Sequence, residues 1–307
     1  MASGGSSPIP VIDVQDFPAE SEKLIGACEE WGCFRIVNFQ KVLPESLMQE
    51  MKAVVRSLFE QPTEIKTRNQ AVIAGSGYMA PSKINPLYEA LGLYDTSSPE
   101  AVDTFCSNLD ATSHQRGVIL KYAKAVNELM MDIGRKIGQG LGINGPISFE
   151  DWACQFRINK YSFTTETVGT AGVQLHTDSS FLTILQDDEI VGGLEVMKRS
   201  GEFQAVDPSP GTLVVNLGDI APVWSNGRFL NVKHRVMCKE AGARLSIASF
   251  LLGPKEGMVE APPELVDSKH PRTFAPFTYN DYRSLRISNS LHTGETLDLF
   301  SNSVASV

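Results

Sequence analysis

The 307-residue sequence predicts a mainly β protein with added helices: an antiparallel β core in the second half, with helices from the first half and the C-terminus. Two patterns predict this arrangement. Before residue 150, many apolar residues recur every three or four positions, as in amphipathic helices. From Gln155 onward the chain breaks into short apolar runs separated by Gly, Pro, Asp and Asn. Short strands at spacings of about 8 to 12 residues are typical of sandwiches and barrels.

Strand and helix patterns alternate near the N-terminus. Residues 10–14 alternate in polarity and residues 33–37 are rich in aromatic and β-branched side chains, so both segments are predicted strands. Residues 19–31 and 44–58 have helical spacing. Pro44 is expected at the first helical position of the second helix, where its missing N–H costs nothing.

An irregular segment and a long helix complete the first half. Residues 74–98 contain three glycines and two prolines and predict a loop-rich region. From Ser113 to Leu141 the apolar spacing predicts one long amphipathic helix. We expect Gly138, Gly140 and Gly142 to end it.

Eight strands and a final helical segment are predicted after residue 154. Helical spacing returns over residues 277–299. The predicted strands are 155–162, 173–176, 181–186, 193–196, 203–206, 212–216, 232–237 and 244–251.

The chain shows no internal repeat and no linker, which predicts a single domain over residues 10–307 after a flexible leader over residues 1–9. Within it, a helical N-terminal part extends to residue 150. A β core covers 151–275, and a helical C-terminal segment covers 276–307.

Composition excludes several classes of function. The net charge of −9 argues against binding to nucleic acids or anionic membranes, which requires a basic surface. No apolar run is long enough to span a bilayer. The five cysteines are scattered and form no CxxC pair, so a reducing, cytoplasmic environment is expected. Self-association cannot be decided from the sequence.

A possible metal site begins with the triplet His176-Thr177-Asp178. Residues i and i+2 of a strand share a face, so both side chains can face one ion. His234 lies in a second strand-like run. Two histidines and one carboxylate are typical of non-haem Fe(II) sites with open coordination positions. Taken alone, the His-x-Asp triplet is weak evidence, and His234 is better explained as a histidine of a surface strand than as a ligand.

Polar residues on two other predicted strands suggest an anion site. Arg244 and Ser246 share a face of an otherwise apolar run, and a buried guanidinium needs an anion. The distal carboxylate of 2-oxoglutarate would satisfy it; a salt bridge to a protein carboxylate such as Asp219 is the alternative. Arg157, Asn159 and Tyr161 likewise share one face, which indicates either a lined cavity or a sheet face open to water.

Together these motifs resemble the plant-type 2-oxoglutarate- and Fe(II)-dependent dioxygenases. The resemblance rests on Gly32–Asn38, His176-Thr-Asp178, Trp224–Arg228, His234-Arg-Val and Arg244-x-Ser246, and it extends over nearly the whole chain. It implies a double-stranded β-helix (jelly-roll) core. It also implies an oxidoreductase that uses O2 and 2-oxoglutarate and releases succinate and CO2, with ascorbate as the reductant.

The resemblance also assigns residues. It implies that His176, Asp178 and His234 are the catalytic iron ligands. Arg244, Ser246, Tyr161 and Asn159 would bind 2-oxoglutarate. Lys160 stands where many relatives have tyrosine. Asn38-Phe39-Gln40 stands where many have Asn-His-Gly, and because it is far from the metal motifs we expect a difference in packing there and no loss of chemistry.

Within the family, residues 85–93, 152–161, 191–195 and 224–236 are similar to the group that oxidises auxin. This implies conversion of indole-3-acetic acid to 2-oxindole-3-acetic acid. Arg157 is the expected partner of the acetate. Other indoles such as melatonin, or specialised metabolites, remain open as substrates. The expected lining of an indole slot is Phe156, Phe163, Phe181 and Trp224.

Two other classes of protein use similar residues. A zinc hydrolase would use the same His, Asp and His ligands with a general base and without O2. A cupin-like binding module would hold a metal or ligand without catalysis, but it has no use for the buried clamp formed by Arg244 and Ser246.

Overall fold

A computed structural model describes residues 9–302 of the chain. It contains two β-sheets and helices, which confirms the predicted mainly β class with added helices. The strands are β1 (Val11–Asp13), β2 (Cys33–Val37), β3 (Tyr88–Tyr94), β4 (Trp152–Phe163), β5 (Ala171–His176), β6 (Leu182–Gln186), β7 (Leu194–Met197), β8 (Phe203–Ala205), β9 (Leu213–Leu217), β10 (His234–Met237) and β11 (Gly242–Pro254). The helices are α1 (Ser21–Glu30), α2 (Glu45–Phe59), α3 (Thr63–Lys66), α4 (Pro99–Asn108), α5 (Ser113–Gly140), α6 (Ile220–Trp224) and α7 (Tyr279–Ser288), with 3-10 turns at Thr165–Thr167, Pro263–Leu265 and Glu295–Phe300.

The larger sheet has seven strands in the order β1-β2-β9-β6-β11-β4-β3, and the smaller has four in the order β5-β10-β7-β8. All eight strands predicted after residue 154 are present. One cavity is lined by residues of both sheets, so it lies between them. This arrangement agrees with a jelly-roll core.

The longest strands, β4 and β11, form the antiparallel pair that carries the predicted anion-binding residues. Arg244 pairs with Tyr161, and Ser246 pairs with Asn159. Because facing residues of an antiparallel pair share a face, these four side chains lie together on the cavity side. A shift of one residue would turn all of them away.

Helices α2 and α5 cover the outer face of the larger sheet with the apolar stripes that predicted them. Thr112 and Gln115 form a capping box at the start of α5. Helix α5 ends at Gly140, and Gly142 follows with a positive φ, as predicted; only Gly138 lies inside the helix and does not end it. A β-carbon at Gly138 would lie 2.2 Å from Ile147 Cδ1, so close packing explains that glycine better than helix termination.

Several elements differ from the predictions. The predicted irregular segment contains β3, whose Glu, Ala and Gly have low strand propensity but which pairs fully with β4. Helices α4 and α6 were not predicted. Pro44 is the N-cap of α2 rather than its first residue. The predicted C-terminal helical segment divides into α7 and a 3-10 turn.

Ile9, the last residue of the predicted leader, is buried in the smaller hydrophobic cluster. Residues 1–8 of that leader, and residues 303–307 of the predicted C-terminal segment, lie outside the described residues. Among residues 9–302, no helix combines the length and apolar character needed to cross a bilayer.

Candidate metal and cosubstrate site

Two histidines face each other across neighbouring strands of the smaller sheet. His176 ends β5, His234 begins β10, and the two residues are direct partners in the antiparallel register. Their ring centroids are 4.2 Å apart. The sheet register alone therefore brings together two imidazoles that are distant in sequence.

Asp178 completes a three-ligand group with these histidines. Its Oδ1 lies 3.7 Å from His176 Nε2 and 3.6 Å from His234 Nε2. One ligand atom from each residue lies within 4.8 Å of the others, a spacing that fits one metal ion. The structure thus brings together the three predicted iron ligands.

Neighbouring groups orient all three ligands. His176 Nδ1 lies 2.8 Å from the carbonyl of Gln174, and His234 Nδ1 lies 3.2 Å from that of Val232. Donation by each Nδ1–H to its carbonyl leaves the Nε2 lone pair for a metal. The Thr183 hydroxyl donates to Asp178 Oδ2 over 2.6 Å, which leaves Oδ1 toward the histidines.

The local environment keeps His176 neutral. Desolvation and the nearby His234 ring lower the pKa of His176 to about 4. A neutral imidazole is the form that binds a metal, so this ligand is ready without losing a proton at neutral pH.

The loop between the ligands is held by a buried ion pair behind the site. Asp219 is fully buried and accepts from Arg286 Nη1 and the Tyr282 hydroxyl, each over 2.6 Å. Arg286 also donates to the carbonyl of Thr177 over 2.6 Å, and Asp219 N donates to the carbonyl of Asp178. Helix α7 is thereby connected to the ligand-bearing loop.

Arg244 lies in the same cavity and is 1% exposed. Its Nη2 forms a salt bridge with Asp187, so the alternative of a protein carboxylate partner is present. The partner is Asp187 and not Asp219, because Asp219 already holds Arg286. Nε and Nη1 of Arg244 are buried without a hydrogen-bond partner. Burial raises the pKa of Asp187, although the Arg244 charge offsets part of that rise.

The orphaned donors of Arg244 fit the distal carboxylate of a dicarboxylate that also binds the metal. Ser246 is on the same strand, and its hydroxyl accepts from Asn159 Nδ2 over 3.3 Å. Asn159 Oδ1 in turn accepts from the Tyr88 hydroxyl over 2.7 Å. The guanidinium of Arg244 stacks on Tyr161, 4.9 Å from the ring centroid. All four predicted cosubstrate residues therefore surround one end of the cavity.

Comparisons with known proteins agree with this geometry. The family model of the 2OG-Fe(II) oxygenase superfamily matches residues 152–253, and the model described as non-haem dioxygenase in morphine synthesis N-terminal matches residues 9–116. The 2-oxoglutarate-dependent dioxygenase DAO of Oryza sativa subsp. indica is 50% identical over 295 residues, covering 94% of this chain and 97% of the relative.

The chain belongs to the 2-oxoglutarate- and iron(II)-dependent dioxygenases.

Two solved structures extend the likeness to the fold. The crystal structure of dioxygenase for auxin oxidation in rice is 49% identical with a TM-score of 0.88, and the match covers 95% of this chain and 99% of that one. The 2-oxoglutarate complex of dioxygenase for auxin oxidation 1 from Arabidopsis thaliana is 56% identical with a TM-score of 0.82, covering 86% and 100%. The enzyme therefore uses iron(II), 2-oxoglutarate and O2.

Arg157 lines the cavity of the dioxygenase, as predicted, but its donors are held by protein atoms. Nε donates to the Tyr88 hydroxyl over 3.3 Å. Nη1 donates to the carbonyls of Gly75 and Gly77, the latter over 2.8 Å, and Nη2 contacts Met79 Sδ. Arg157 is 9% exposed, and no carboxylate among residues 9–302 pairs with it.

The four aromatic residues predicted to line an indole slot lie in hydrophobic clusters instead of in the cavity lining. Phe156 is on the opposite face of β4 and packs on Tyr122. Phe181 and Trp224 pack on each other, with centroids 5.1 Å apart. Phe163 packs behind Tyr161. Alternation along β4 already places Phe156 on the face opposite Arg157. Phe181 and Trp224 lie outside the strands, so no strand periodicity could place them.

Sequence reasoning missed other residues of the site. Tyr88 and Phe250 line the cavity, Asp187 pairs with the lining residue Arg244, and Arg286 supports the ligand-bearing loop through Asp219. The alternation that placed Arg244 and Ser246 on the cavity face extends to Phe250 and was the available signal. Tyr88 and Asp187 had no such signal, because each is brought to the site by pairing with another strand.

Proposed function

We propose that this dioxygenase oxidises indole-3-acetic acid at C2 of the indole to 2-oxindole-3-acetic acid, and so inactivates auxin. Two relatives named for auxin oxidation support this substrate. We also propose a single catalytic domain acting in the cytoplasm, although its state of association is open.

The observation that carries the proposal is the buried positive charge of Arg157. A guanidinium that is removed from water and has no carboxylate partner is costly, and it favours an anionic ligand. Arg157 lines the same cavity as the metal triad. A short carboxylic acid attached beside the reacting carbon would therefore meet Arg157 while that carbon faces the metal.

Different residues of this chain would bind the metal and the cosubstrate. His176, Asp178 and His234 would hold iron(II), and Arg244 with Ser246 would hold the distal carboxylate of 2-oxoglutarate. When bound, the iron supplies the activation of O2 that couples decarboxylation of 2-oxoglutarate to substrate oxidation. The apolar side chains of Val173, Leu185 and Phe250 limit water in the cavity.

A substrate panel tests the proposal. Succinate formation is measured with iron(II), 2-oxoglutarate and ascorbate against indole-3-acetate, melatonin and a gibberellin. We expect indole-3-acetate to give the highest kcat/KM and an oxidised product in equal amount to succinate. A higher kcat/KM with melatonin, which has no carboxylate, would contradict the assigned substrate and the role of Arg157.

A further inference from the structure

The cavity that contains the metal ligands is too small for both reactants in the conformation described. Its volume is about 110 Å³. An engineered protein cavity of about 150 Å³ holds one benzene molecule. An indole acid and a five-carbon dicarboxylate need far more room, so the wall of this inner cavity must move when the substrate enters.

A larger outer cavity of about 670 Å³ lies beside α7. This volume is within the range of small-molecule sites. Its lining combines aliphatic and aromatic side chains with the guanidinium of Arg283. The residues that carry the argument are Val72, Ile73, Tyr94, Tyr279, Arg283 and Ile287.

A short segment, residues 74–77, is bound by an arginine of each cavity; we name it the strap. On the inner side, Arg157 holds the carbonyls of Gly75 and Gly77. On the outer side, Arg283 Nη2 donates to the carbonyl of Ala74 over 2.6 Å. Ala74 and Gly75 are exposed, whereas Ser76 and Gly77 are buried.

Arg283 has the features of an anion-recognition group. None of its described contacts is a carboxylate: besides Ala74, Nη1 lies 3.4 Å from Ser179 Oγ and 3.5 Å from the Tyr279 hydroxyl. Ser179 directly follows the metal ligand Asp178. Among the described ion pairs of the outer cavity, Lys255 is already neutralised by Asp95 over 2.6 Å. Arg283 is thus the cation available to an incoming acid.

We propose that the outer cavity is the entry subsite for the organic acid and that Arg283 recognises its carboxylate there. A carboxylate binds a guanidinium more strongly than a carbonyl does, so it displaces the carbonyl of Ala74 and releases one end of the strap. Transfer of the acid to Arg157 releases the other end and enlarges the inner cavity. Neutral indoles cannot make these exchanges, so selection for an acid begins before the metal is reached. This inference rests on the proposed function for its substrate class.

The test measures the rate of ligand association under anaerobic conditions, which prevent turnover. The enzyme is first loaded with iron(II) and 2-oxoglutarate, and it is then mixed with either indole-3-acetate or the neutral indole-3-acetamide. Arg283→Gln should lower the association rate constant of the acid about tenfold at low salt and leave that of the amide unchanged. Arg283→Lys keeps the charge and should retain most of the rate. Hydrogen exchange in residues 72–79 should rise when the acid binds.

A matched control is Arg228→Gln, which removes the same charge from an exposed arginine paired with Glu29. Equal slowing of the acid by both glutamine variants would attribute the effect to net charge and overturn the proposal. Equal slowing of acid and amide by Arg283→Gln, an unchanged rate, or unchanged exchange of the strap would also overturn it.

Failure of the proposed function has a separate signature. If the unaltered enzyme neither binds nor oxidises indole-3-acetate, the assigned substrate is wrong. The same comparison with phenylacetate and phenylacetamide then decides the role of Arg283, because this residue recognises the carboxylate and not the indole.

Discussion

At the scale of single residues, the buried arginines Arg286 and Arg244 differ in how many of their N–H donors have protein partners. Arg286 donates to Asp219, to Thr177 and to the carbonyl of His292. Arg244 has Asp187 on Nη2, but its Nε and Nη1 have no partner. The first arrangement is a completed structural contact, whereas the second leaves donors for a ligand.

Replacing Arg244 should therefore affect 2-oxoglutarate much more than iron. Arg244→Ala removes charge-assisted hydrogen bonds that contribute about 1.5 to 3 kcal/mol, so the KM for 2-oxoglutarate should rise about tenfold to a hundredfold. Iron affinity, measured by titration of the apoenzyme, should change little. An unchanged KM for 2-oxoglutarate would show that Arg244 does not hold the cosubstrate.

Thr183 tests whether the orientation of Asp178 matters. Thr183→Val keeps the shape but removes the 2.6 Å hydrogen bond to Asp178 Oδ2. Loss of such an outer contact typically lowers metal affinity about 10- to 100-fold. Thr183→Ser, which keeps the hydroxyl, is the matched control and should bind iron nearly normally. Equal affinity in the Val and Ser variants would contradict this role.

The ligand residues were predictable because their signal is local. The spacing of His176 and Asp178 gives a shared strand face, and Arg244 and Ser246 follow the same alternation. Their supporting partners were not predictable. Asp187 and Asp219 are both acidic residues near strand ends, and only the folded arrangement decides which of them faces Arg244 and which faces Arg286.

At the scale of elements, helix α7 supports the metal site without lining it. Tyr282 and Arg286 lie one turn apart and converge on Asp219. Arg286 continues to the carbonyl of Thr177, between the two ligands of the loop. The C-terminal helix thereby sets the position of a loop that is distant in sequence.

Removing this connection should cost both stability and metal affinity. Arg286→Gln leaves Asp219 buried without its counter-ion. The free energy of unfolding, measured by urea denaturation, should therefore fall by about 3 to 5 kcal/mol. Iron affinity should fall as well, because the Thr177 carbonyl loses its donor. Tyr282→Phe, which removes only a neutral hydroxyl, should cost about 1 kcal/mol. Equal effects of the two variants would contradict the importance of the ion pair.

Helices and strands were predicted correctly where the apolar periodicity extends over many residues. The prediction failed where pairing with another strand, and not local periodicity, determines the structure. Helix α5 and the strands after residue 154 have clear periodicity. Strand β3 contains Gly92, which is required there because a β-carbon would lie 2.0 Å from the carbonyl oxygen of Ser76. Close packing against the strap therefore requires a glycine in β3, and no local sequence pattern shows this packing. Because glycine is uncommon inside strands, it makes β3 hard to predict from the sequence.

At the scale of the whole molecule, the two halves of the sequence form one structure. Strands β1 and β2 extend one edge of the larger sheet, and β3 forms the other edge beside β4. The N-terminal part thus borders both edges of the sheet that carries the cosubstrate residues. This mixing supports the proposed single domain, in which the helical part up to residue 150 and the β core share one sheet.

Binding of the metal and the cosubstrate should accordingly stabilise the molecule as one unit. A ligand present at about 100 times its Kd adds about 2.7 kcal/mol if it binds only the folded state. Removing the metal with a chelator should lower the Tm of a single transition, and adding iron(II) with 2-oxoglutarate should restore it. Two transitions, of which only one responds, would contradict the single domain.

The most direct test of the central claim uses ¹⁸O2 in a single turnover of the enzyme with iron(II), 2-oxoglutarate and indole-3-acetate. Mass spectrometry of both products should find one labelled oxygen in succinate and one in the oxidised indole. The Asp178→Ala variant should give neither product. Succinate or oxidised indole without label, or the same turnover in Asp178→Ala, would contradict an iron site built from His176, Asp178 and His234.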